Sequence, residues 1–224
     1  MANTILIYGE SGTGKSTSIQ NLDPKSTFIV NVLGKALPFK GYKKNYITKT
    51  KENSGNIVTC DKSSSIMQML VSINELPEIK TVIIDDFQYI MGNEFMRRAA
   101  ETGWQKFTDI GQNAWNIIAQ AGSLRDDLKV FVLSHAETNE NTGKTKIKTI
   151  GKMLDEKICL EGMFTVVLYS TISQNGEYGF ITQNTGLITA KSPHGMFDKL
   201  FIPNDLQTVI EKINAYENDS DINL

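Results

Sequence analysis

One segment near the start of the chain constrains the fold more strongly than any other. Residues 9–16 read Gly-Glu-Ser-Gly-Thr-Gly-Lys-Ser and fit the pattern G-x-x-x-x-G-K-[ST]. Residues 4–8 before them are β-branched and apolar, which predicts a strand buried on both faces. From Lys15 the sequence allows a short helix, which ends at Asp23 because the residue before a proline avoids the helical region. The motif therefore lies between a buried strand and a helix start.

In this setting the segment predicts a phosphate-binding loop; the alternative is a glycine-rich turn that ends in Gly-Lys-Ser by coincidence. Glycines let successive N–H groups point at phosphate oxygens, and the helix N-terminus adds a favourable dipole. Lys15 would neutralise the β- and γ-phosphates, and the Ser16 hydroxyl would bind Mg²⁺. The nucleotide-binding residues predicted on this basis are Gly9, Glu10, Ser11, Gly12, Thr13, Gly14, Lys15, Ser16 and Thr17.

A second motif supplies carboxylates for the same site. Residues 82–86 form an apolar run that ends in Asp85 and Asp86, as expected at the end of another parallel strand. An unpaired carboxylate at the end of a buried strand is costly, so Asp85 needs a partner such as a metal-bound water or Ser16. We expect Asp85 and Ser16 to hold magnesium. Asp86 either polarises an attacking water or caps the helix that follows Phe87.

Strand and helix patterns alternate over the first 135 residues, which predicts an α/β fold with a mainly parallel sheet and helices on both faces. An Asn-Gly pair at residues 175–176 lies between two strand-like runs and predicts an antiparallel hairpin that extends the sheet. We expect one domain over residues 1–216 and an acidic, disordered tail over residues 217–224.

The individual elements can be predicted with approximate bounds. Predicted strands are residues 27–32, 80–85, 130–134, 164–172 and 178–182, with an edge strand near 46–47 in an otherwise irregular segment, 34–57. Predicted helices are residues 64–75, residues 94–124 with breaks at Gly103 and Gly111, and a C-terminal helix capped by Asn204-Asp205.

Composition excludes several classes of protein. Apolar residues make up 40% and charged residues 21% of the 224, as in a globular domain with an ordinary core. No apolar run approaches the length of a spanning helix, which argues against membrane insertion. The two cysteines, Cys60 and Cys159, have no disulfide or metal-ligand pattern, which fits a reducing cytoplasm. A net charge of −2 means that nucleic acid could bind only through local basic patches.

These residues resemble the P-loop ATPases, and more narrowly the single-domain RecA-like ATPases of phages, which include AAA-type nucleotide-binding proteins and Sak-type single-strand annealing recombinases. Besides the two nucleotide motifs, the resemblance rests on residues 34–41, 134–137, 190–197 and 202–206. It implies a RecA-like core that binds ATP and Mg²⁺ at interfaces of a homo-oligomer, in the cytoplasm of an infected bacterium. It also implies single-stranded DNA, and a single-strand-binding protein, as partners in phage recombination or replication.

The resemblance assigns further roles and reveals one departure. His135 matches a sensor of the γ-phosphate, and Lys191 matches a cation that reaches the ATP of a neighbouring subunit. RecA-like enzymes have a catalytic glutamate after the second strand, whereas residues 30–34 here read Val-Asn-Val-Leu-Gly. If hydrolysis occurs, Asp86 must be the base or Asn31 orients the water, and we expect slow turnover from a catalytic set of Lys15, Asp86 and His135.

Two acid-free stretches could bind single-stranded DNA. Residues 35–51 hold lysines, including Lys43 and Lys44, interleaved with aromatic rings that could stack on bases. Residues 141–152 follow the predicted sensor directly, and an extended conformation would place their alternating lysines on one face. The tentative DNA-binding lysines here are Lys144, Lys146, Lys148 and Lys152. For both stretches the alternative is a solvated surface loop.

Two other functions remain open at this stage. A nucleotide-gated accessory factor, such as a helicase loader, would use ATP as a switch and hardly hydrolyse it. A small-molecule or nucleotide kinase would share the phosphate-binding loop but needs an acceptor pocket and usually an arginine-bearing lid. The chain has arginine only at positions 97, 98 and 125, which weakens the kinase interpretation.

Overall fold

One mainly parallel sheet forms the centre of the protein. The computed structural model describes residues 2–220, and it describes the side chains of this range except those of residues 155, 219 and 220. The strands in that range are β1 (Asn3–Gly9), β2 (Thr27–Asn31), β3 (Ile57–Thr59), β4 (Thr81–Asp85), β5 (Lys129–Thr138), β6 (Thr145–Ile147), β7 (Val166–Ile172), β8 (Tyr178–Ile181) and β9 (Phe201–Pro203). The helices are α1 (Tyr42–Asn45), α2 (Ser63–Asn74), α3 (Gln88–Arg97), α4 (Gln105–Gly122) and α5 (Leu206–Ser220). Shorter helical turns are Ser16–Asn21 and Leu160–Met163, both 3₁₀, and Met153–Lys157, which is π-helical.

The order of strands across the sheet is β3-β2-β4-β5-β1-β7-β8-β9. All neighbours from β3 to β7 are parallel, whereas β8 and β9 add antiparallel strands at one edge. β6 pairs antiparallel with the end of β5 and lies off this path. The predicted fold class, a mainly parallel α/β sheet extended by a C-terminal antiparallel hairpin, is confirmed.

The middle of each central strand is apolar because both faces of the sheet are covered by helices. Along β1, Leu6 and Tyr8 face a core shared with α2, α3 and α4, whereas Ile5 and Ile7 face a core shared with α5 and the 3₁₀ turn at Ser16–Asn21. All five residues of β2 and all five of β4 are buried. Strands buried on both faces are continuous apolar runs and do not alternate apolar with polar residues. The sequence shows such continuous runs in the central strands.

The strand register brings polar residues to one edge of the sheet. Gly9 of β1 is paired with His135 of β5, and Asn31 of β2 is paired with Asp85 of β4. In parallel α/β sheets, ligands bind in the crevice outside the carboxyl ends of the strands. The strand ends that carry the predicted site residues therefore lie together.

The helical region after β4 differs from its prediction at one glycine. The predicted break at Gly103, where φ is +89°, is confirmed and separates α3 from α4. The predicted break at Gly111 is wrong, because α4 continues through this residue. Instead, Gly111 allows close packing, since a Cβ there would lie 2.7 Å from Cε of Met153.

Two other predictions differ from the structure, and the predicted short helix after the loop is confirmed but has its own geometry. The edge strand is β3 at residues 57–59, and Thr48 contributes only an isolated bridge to Ile57, so the prediction of a strand near 46–47 is wrong. The helical turn after the glycine-rich loop is 3₁₀ rather than a regular α-helix. Residues 217–220 of the predicted tail belong to α5, while residues 221–224 lie outside the described residues.

The hairpin and the C-terminal helix agree with their predictions. β7 and β8 pair across a turn in which Gly176 has a φ of +82°. Asp205 caps α5 through its carboxylate, which accepts a hydrogen bond from the backbone N–H of Gln207 at 2.9 Å. None of the helices among the described residues has the length and apolar character needed to span a lipid bilayer.

Packing at the centre of the sheet should dominate the free energy of unfolding. Phe131 on β5 is fully buried, so Phe131→Ala should destabilise the protein by about 3–5 kcal/mol through the cavity that it leaves. The matched control is Trp104→Ala, because Trp104 is 79% exposed and should contribute within about 0.5 kcal/mol. Urea unfolding followed by circular dichroism measures both, and equal effects would contradict the assignment of Phe131 to the core.

Candidate nucleotide site

The glycine-rich loop between β1 and the 3₁₀ turn wraps around the ammonium group of its own lysine. Lys15 is 8% exposed, and its Nζ donates hydrogen bonds to the carbonyl oxygens of Gly9 at 2.9 Å and Glu10 at 2.7 Å. Burial lowers the pKa of Lys15 to about 8, although Asp85 and Asp86 act in the opposite direction. The loop therefore holds a positive charge at its base, where an anion would bind.

Side chains from the C-terminal third of the chain fix the shape of this loop. Ser170 of β7 donates from its hydroxyl to the carbonyl oxygen of Thr13 at 2.8 Å, and Asn204 donates from Nδ2 to the carbonyl oxygen of Gly14 at 2.9 Å. Both approaches need glycine: a Cβ on Gly9 would lie 2.4 Å from the backbone oxygen of Ser170, and one on Gly14 would lie 2.5 Å from Nδ2 of Asn204. Gly14 also has a φ of +90°, which side chains disfavour. Nothing in the local sequence pointed to Ser170 or Asn204 as parts of the site.

Ser16 and Asp85 meet as the sequence predicts. The Ser16 hydroxyl donates a hydrogen bond of 3.0 Å to Oδ1 of Asp85, which is 5% exposed at the end of β4. Burial, together with the neighbouring Asp86, raises the pKa of Asp85 to about 6. A carboxylate with such a pKa is costly to keep ionised and gains free energy when a cation binds beside it.

The Ser16 hydroxyl and the Asp85 carboxylate suit magnesium chemically. Both present hard oxygen ligands, and Mg²⁺ is usually bound by one or two protein oxygens together with phosphate oxygens and waters. Among residues 2–220, no group of three or more His, Cys, Asp or Glu side chains could hold a metal ion. Ser16 and Asp85 would supply part of a magnesium shell, and phosphate oxygens would supply the rest.

Asp86 has an unusual backbone conformation and two cationic neighbours. Its φ is +64°, which non-glycine residues rarely adopt and which is often found at functional sites. Oδ2 lies 2.8 Å from Nζ of Lys35, and Oδ1 lies 3.4 Å from Nε2 of His135. Burial raises the pKa of Asp86, but His135 and Lys35 outweigh this and hold it below its ordinary value. The carboxylate forms no side-chain cap for α3, so the alternative role as a helix cap is wrong.

His135 and Ser134 carry buried polar atoms that lack hydrogen-bond partners within the described part of the chain. These atoms are Nε2 of His135, whose distance to Asp86 exceeds that of a normal hydrogen bond, and Oγ of Ser134. The His135 ring also packs edge-on against Tyr89, with ring centroids 5.7 Å apart. Of these two residues, His135 lines the adjoining cleft, whereas Ser134 is fully buried and does not line it.

These groups line one cleft of about 700 Å³. The predicted residues Ser11, Gly12, Gly14, Lys15, Ser16, Thr17, Asp85, Asp86 and His135 line it. Gly9, Glu10 and Thr13 shape the loop behind it, since the carbonyls of Gly9 and Glu10 accept from Lys15 and Thr13 Oγ1 donates to the Glu10 carbonyl. Six residues that the sequence did not predict for the site also line the cleft, namely Gln20, Lys35, Ala36, Pro38, Tyr178 and Asn204.

The predicted DNA-binding lysines lie outside the cleft. Lys43 and Lys44 are exposed on α1, and Lys43 lines a separate cleft beside β3. Lys144, Lys148 and Lys152 are exposed, whereas Lys146 is half-buried on β6. The backbone of Lys191 pairs with Val167 of β7, and its side chain is half-buried and does not line the nucleotide cleft. The roles of these lysines toward DNA or a neighbouring subunit stay predictions.

Comparison with known proteins agrees with this geometry. The family model AAA_24, described as an AAA domain, matches residues 1–194. The chain belongs to this AAA-domain family. It is therefore a P-loop NTPase, and proteins of this kind generally use ATP and Mg²⁺. The family model covers the glycine-rich loop, both aspartates and His135. It ends before Asn204, the residue whose side chain donates to the carbonyl oxygen of Gly14.

Similarity to other individual proteins is low. Among solved structures, the AAA-domain chain is similar to a KaiC-like protein, PH0186, from the hyperthermophilic archaeon Pyrococcus horikoshii OT3. The identity is 14%, the TM-score is 0.43, and the alignment covers 80% of this chain and 76% of that one. No curated protein matches the sequence.

The buried Asp85 carboxylate should make a contribution to the free energy of unfolding that falls as pH rises. Its pKa is raised from 3.8 to about 6 on folding, so the folded state binds this proton more tightly and the contribution of Asp85 falls between these two pH values. Above pH 6 the ionised Asp85 lowers the free energy of unfolding by its full amount, about 3 kcal/mol. Asp85→Asn keeps a hydrogen-bond acceptor for Ser16 and should be more stable than wild type by up to that amount at pH 7.5, but not at pH 4.

Urea unfolding at the two pH values measures this difference. The control is Asp126→Asn, which removes an exposed aspartate and should change the free energy of unfolding little at either pH. A wild type that is as stable as Asp85→Asn at pH 7.5 would contradict the costly burial of this carboxylate.

Proposed function

We propose that this chain is an ATPase of slow turnover that binds single-stranded DNA and acts in phage DNA recombination, by annealing or strand exchange, or in replication. The observation that carries the proposal is the link between the nucleotide cleft and a basic hairpin. The strand β5 contributes His135 to the cleft and continues into the turn that leads to β6. The backbone N–H of Lys148 donates a hydrogen bond of 2.8 Å to the carbonyl oxygen of His135.

The cleft has the parts needed to bind a nucleoside triphosphate. Lys15 and the loop N–H groups would hold phosphates, and Ser16 and Asp85 would hold Mg²⁺, which neutralises charge on the phosphates when bound. Tyr178 at the start of β8 is 50% exposed and lines the cleft, where a Cβ on Gly14 would lie 3.0 Å from its ring. A nucleobase could stack on an exposed ring at this place. Because stacking accepts any base, the preference for ATP is inferred from membership of the AAA-domain family and not from this ring.

Asp86 is the group best placed to accept a proton from an attacking water. It lies in the cleft one residue beyond Asp85, and its low pKa keeps it ionised. A carboxylate whose pKa lies below its ordinary value is a weak base, which supports slow turnover. Asn31 is less suited to orient the water, because its Nδ2 donates to the carbonyl oxygen of Lys35 at 2.6 Å and it lines the other cleft.

The hairpin of β5 and β6 provides the proposed DNA contact. Lys144 and Lys148 are exposed at the two ends of β6, and the backbone N–H of Lys148 is bonded to His135. A shift of His135 caused by the γ-phosphate would therefore move these lysines through main-chain hydrogen bonds. Glu137 pairs opposite Lys146 in the register, which moderates the positive charge. We therefore expect a small number of phosphate contacts and a modest dependence on salt.

The biological setting of the proposal comes from the resemblance to phage ATPases. It includes assembly of copies of this chain on DNA with ATP between subunits, Lys191 as a cation that acts on the neighbouring site, and a single-strand-binding protein as a further partner. A nucleotide-gated loader is the second candidate, and one observation favours it: β2 ends in Asn31 and the loop beyond it leads to Lys35, with no carboxylate from this strand in the cleft.

The test of DNA binding is ATP hydrolysis with and without single-stranded DNA at several salt concentrations. Wild type should be stimulated, and stimulation should fade as salt rises. Replacing Lys144, Lys146 and Lys148 by glutamine should weaken DNA binding and reduce the slope of log affinity against log salt by about 2, which is 0.7 for each phosphate contact.

A matched triple variant controls for net charge. Lys25, Lys62 and Lys199 are exposed lysines outside the hairpin, and replacing all three by glutamine should leave DNA stimulation and the salt slope almost unchanged. Equal loss in the two triple variants would mean that only net charge matters. ATP binding without any response to DNA would favour the loader or the kinase.

Asp86→Asn tests the proposed chemistry separately from binding. The variant should still bind ATP but lose turnover by about 100-fold or more, because an amide cannot accept the proton from water. Single-turnover hydrolysis and nucleotide affinity are measured on the same preparation. Turnover at the wild-type rate would remove Asp86 from the mechanism.

A further inference from the structure

The loop after β2 places a second cation in the nucleotide cleft. Lys35 lines the cleft together with Lys15, and its Nζ lies 2.8 Å from Oδ2 of Asp86. The sequence predicts Lys35 only as part of the basic stretch 35–51, which would either bind single-stranded DNA or form a solvated loop. The structure instead places it against the proposed general base.

The backbone of Lys35 is fixed while its side chain remains accessible. Asn31 donates from Nδ2 to the carbonyl oxygen of Lys35, and the N–H of Gly34 donates to the carbonyl oxygen of Asn31 at 3.3 Å. The side chain of Lys35 is 59% exposed, and its Nζ lies 5.7 Å from the centre of the Tyr89 ring. A fixed backbone with a long, solvated side chain lets the ammonium group move within a limited radius.

The contact of Lys35 with Asp86 is of a kind that a phosphate can replace. Ion pairs with an exposed partner contribute little free energy, because water screens them. A phosphate oxygen carries more negative charge than one carboxylate oxygen and forms strong charge-assisted hydrogen bonds with an ammonium group. A triphosphate in the cleft would therefore compete with Asp86 for Lys35.

The position of Lys35 relative to Lys15 indicates which phosphate it would meet. Lys15 is bonded to Gly9 and Glu10 within the loop, whereas Asp86 follows Asp85 at the end of β4 and contacts Lys35 and His135, which line the same cleft. The phosphate nearest Asp86 is the one farthest from the nucleoside, because the loop holds the inner phosphates.

We propose that Lys35 is a specificity-determining residue that distinguishes ATP from ADP within the same subunit. Its ammonium group breaks its contact with Asp86 and binds the terminal phosphate of the triphosphate instead. This inference rests on the proposed function of the cleft. One movement of the side chain then has two results: the γ-phosphate gains a cation, and Oδ2 of Asp86 becomes available to a water. ADP lacks the terminal phosphate and leaves the Lys35–Asp86 pair intact.

Affinities for a non-hydrolysable ATP analogue and for ADP test the first result. Lys35→Ala should bind the ATP analogue about tenfold more weakly and ADP within about twofold of wild type. Lys15→Ala should weaken both, and Lys40→Ala, which removes an exposed lysine of the same loop outside the cleft, should change neither. The measurements are made with Mg²⁺ and again with a chelator, and the selective loss should appear in both conditions because Lys35 contacts phosphate directly.

A double-mutant cycle tests the exchange between partners. Asp86→Asn should tighten binding of the ATP analogue because it frees Lys35, and this gain should shrink several-fold in the Lys35→Ala background. If Asp86→Asn tightens binding equally in both backgrounds, the gain comes only from the removal of negative charge and the exchange is wrong.

The outcomes separate this inference from the proposed function. Wild type that binds neither nucleotide would overturn the nucleotide site itself. Wild type that binds both, with Lys35→Ala weakening them equally or not at all, would overturn only the role of Lys35. Circular dichroism of each variant excludes unfolding as the cause of a loss.

Discussion

The hydrogen bond between Ser16 and Asp85 joins the two parts of the cleft, one from the loop after β1 and one from the end of β4. A sheet that is buried on both faces offers polar groups only where its strands end, and β5 and β1 separate β4 from β7 in that sheet. The side chains that hold the loop and those that would perform chemistry consequently come from non-adjacent strands. These side chains lie at the same edge of the sheet because the strands are parallel and their carboxyl ends are aligned.

The charges at this edge are balanced by partners and not by solvent. Lys15 donates to two carbonyl oxygens, and Asp86 faces Lys35 and His135. Asp85 accepts from the Ser16 hydroxyl and the Asp86 backbone, which do not offset its burial. Asp85 is thus the group whose electrostatic needs the free protein satisfies least. A divalent cation with its phosphates would supply what is missing, and binding and folding are thermodynamically linked through this one carboxylate.

The parts of the fold and site that could be predicted are those encoded locally. The glycine-rich loop, the aspartates and the Asn-Gly turn each depend on a few consecutive residues, and the apolar runs identify the central strands. Ser170 and Asn204 could not be predicted, because they contact the loop across 157 and 190 residues and carry no local signal. The place of Lys35 in the cleft could not be predicted, because its contact with Asp86 joins residues that are far apart in the sequence. Gly111 resembled a helix break because the approach of Met153 is invisible in sequence.

The contacts of Ser170 and Asn204 with the loop also have a consequence for the order in which the site is completed during synthesis. The motif leaves the ribosome well before the side chains that fix the Thr13 and Gly14 carbonyls, which lie 157 and 190 residues further along the chain. A nascent chain that has emerged only as far as residue 160 would contain the whole motif and most of the parallel sheet, yet its loop would lack both supports. Nucleotide capture therefore belongs to the last stage of folding, after β7 has joined β1 and the turn before α5 has closed over Gly14.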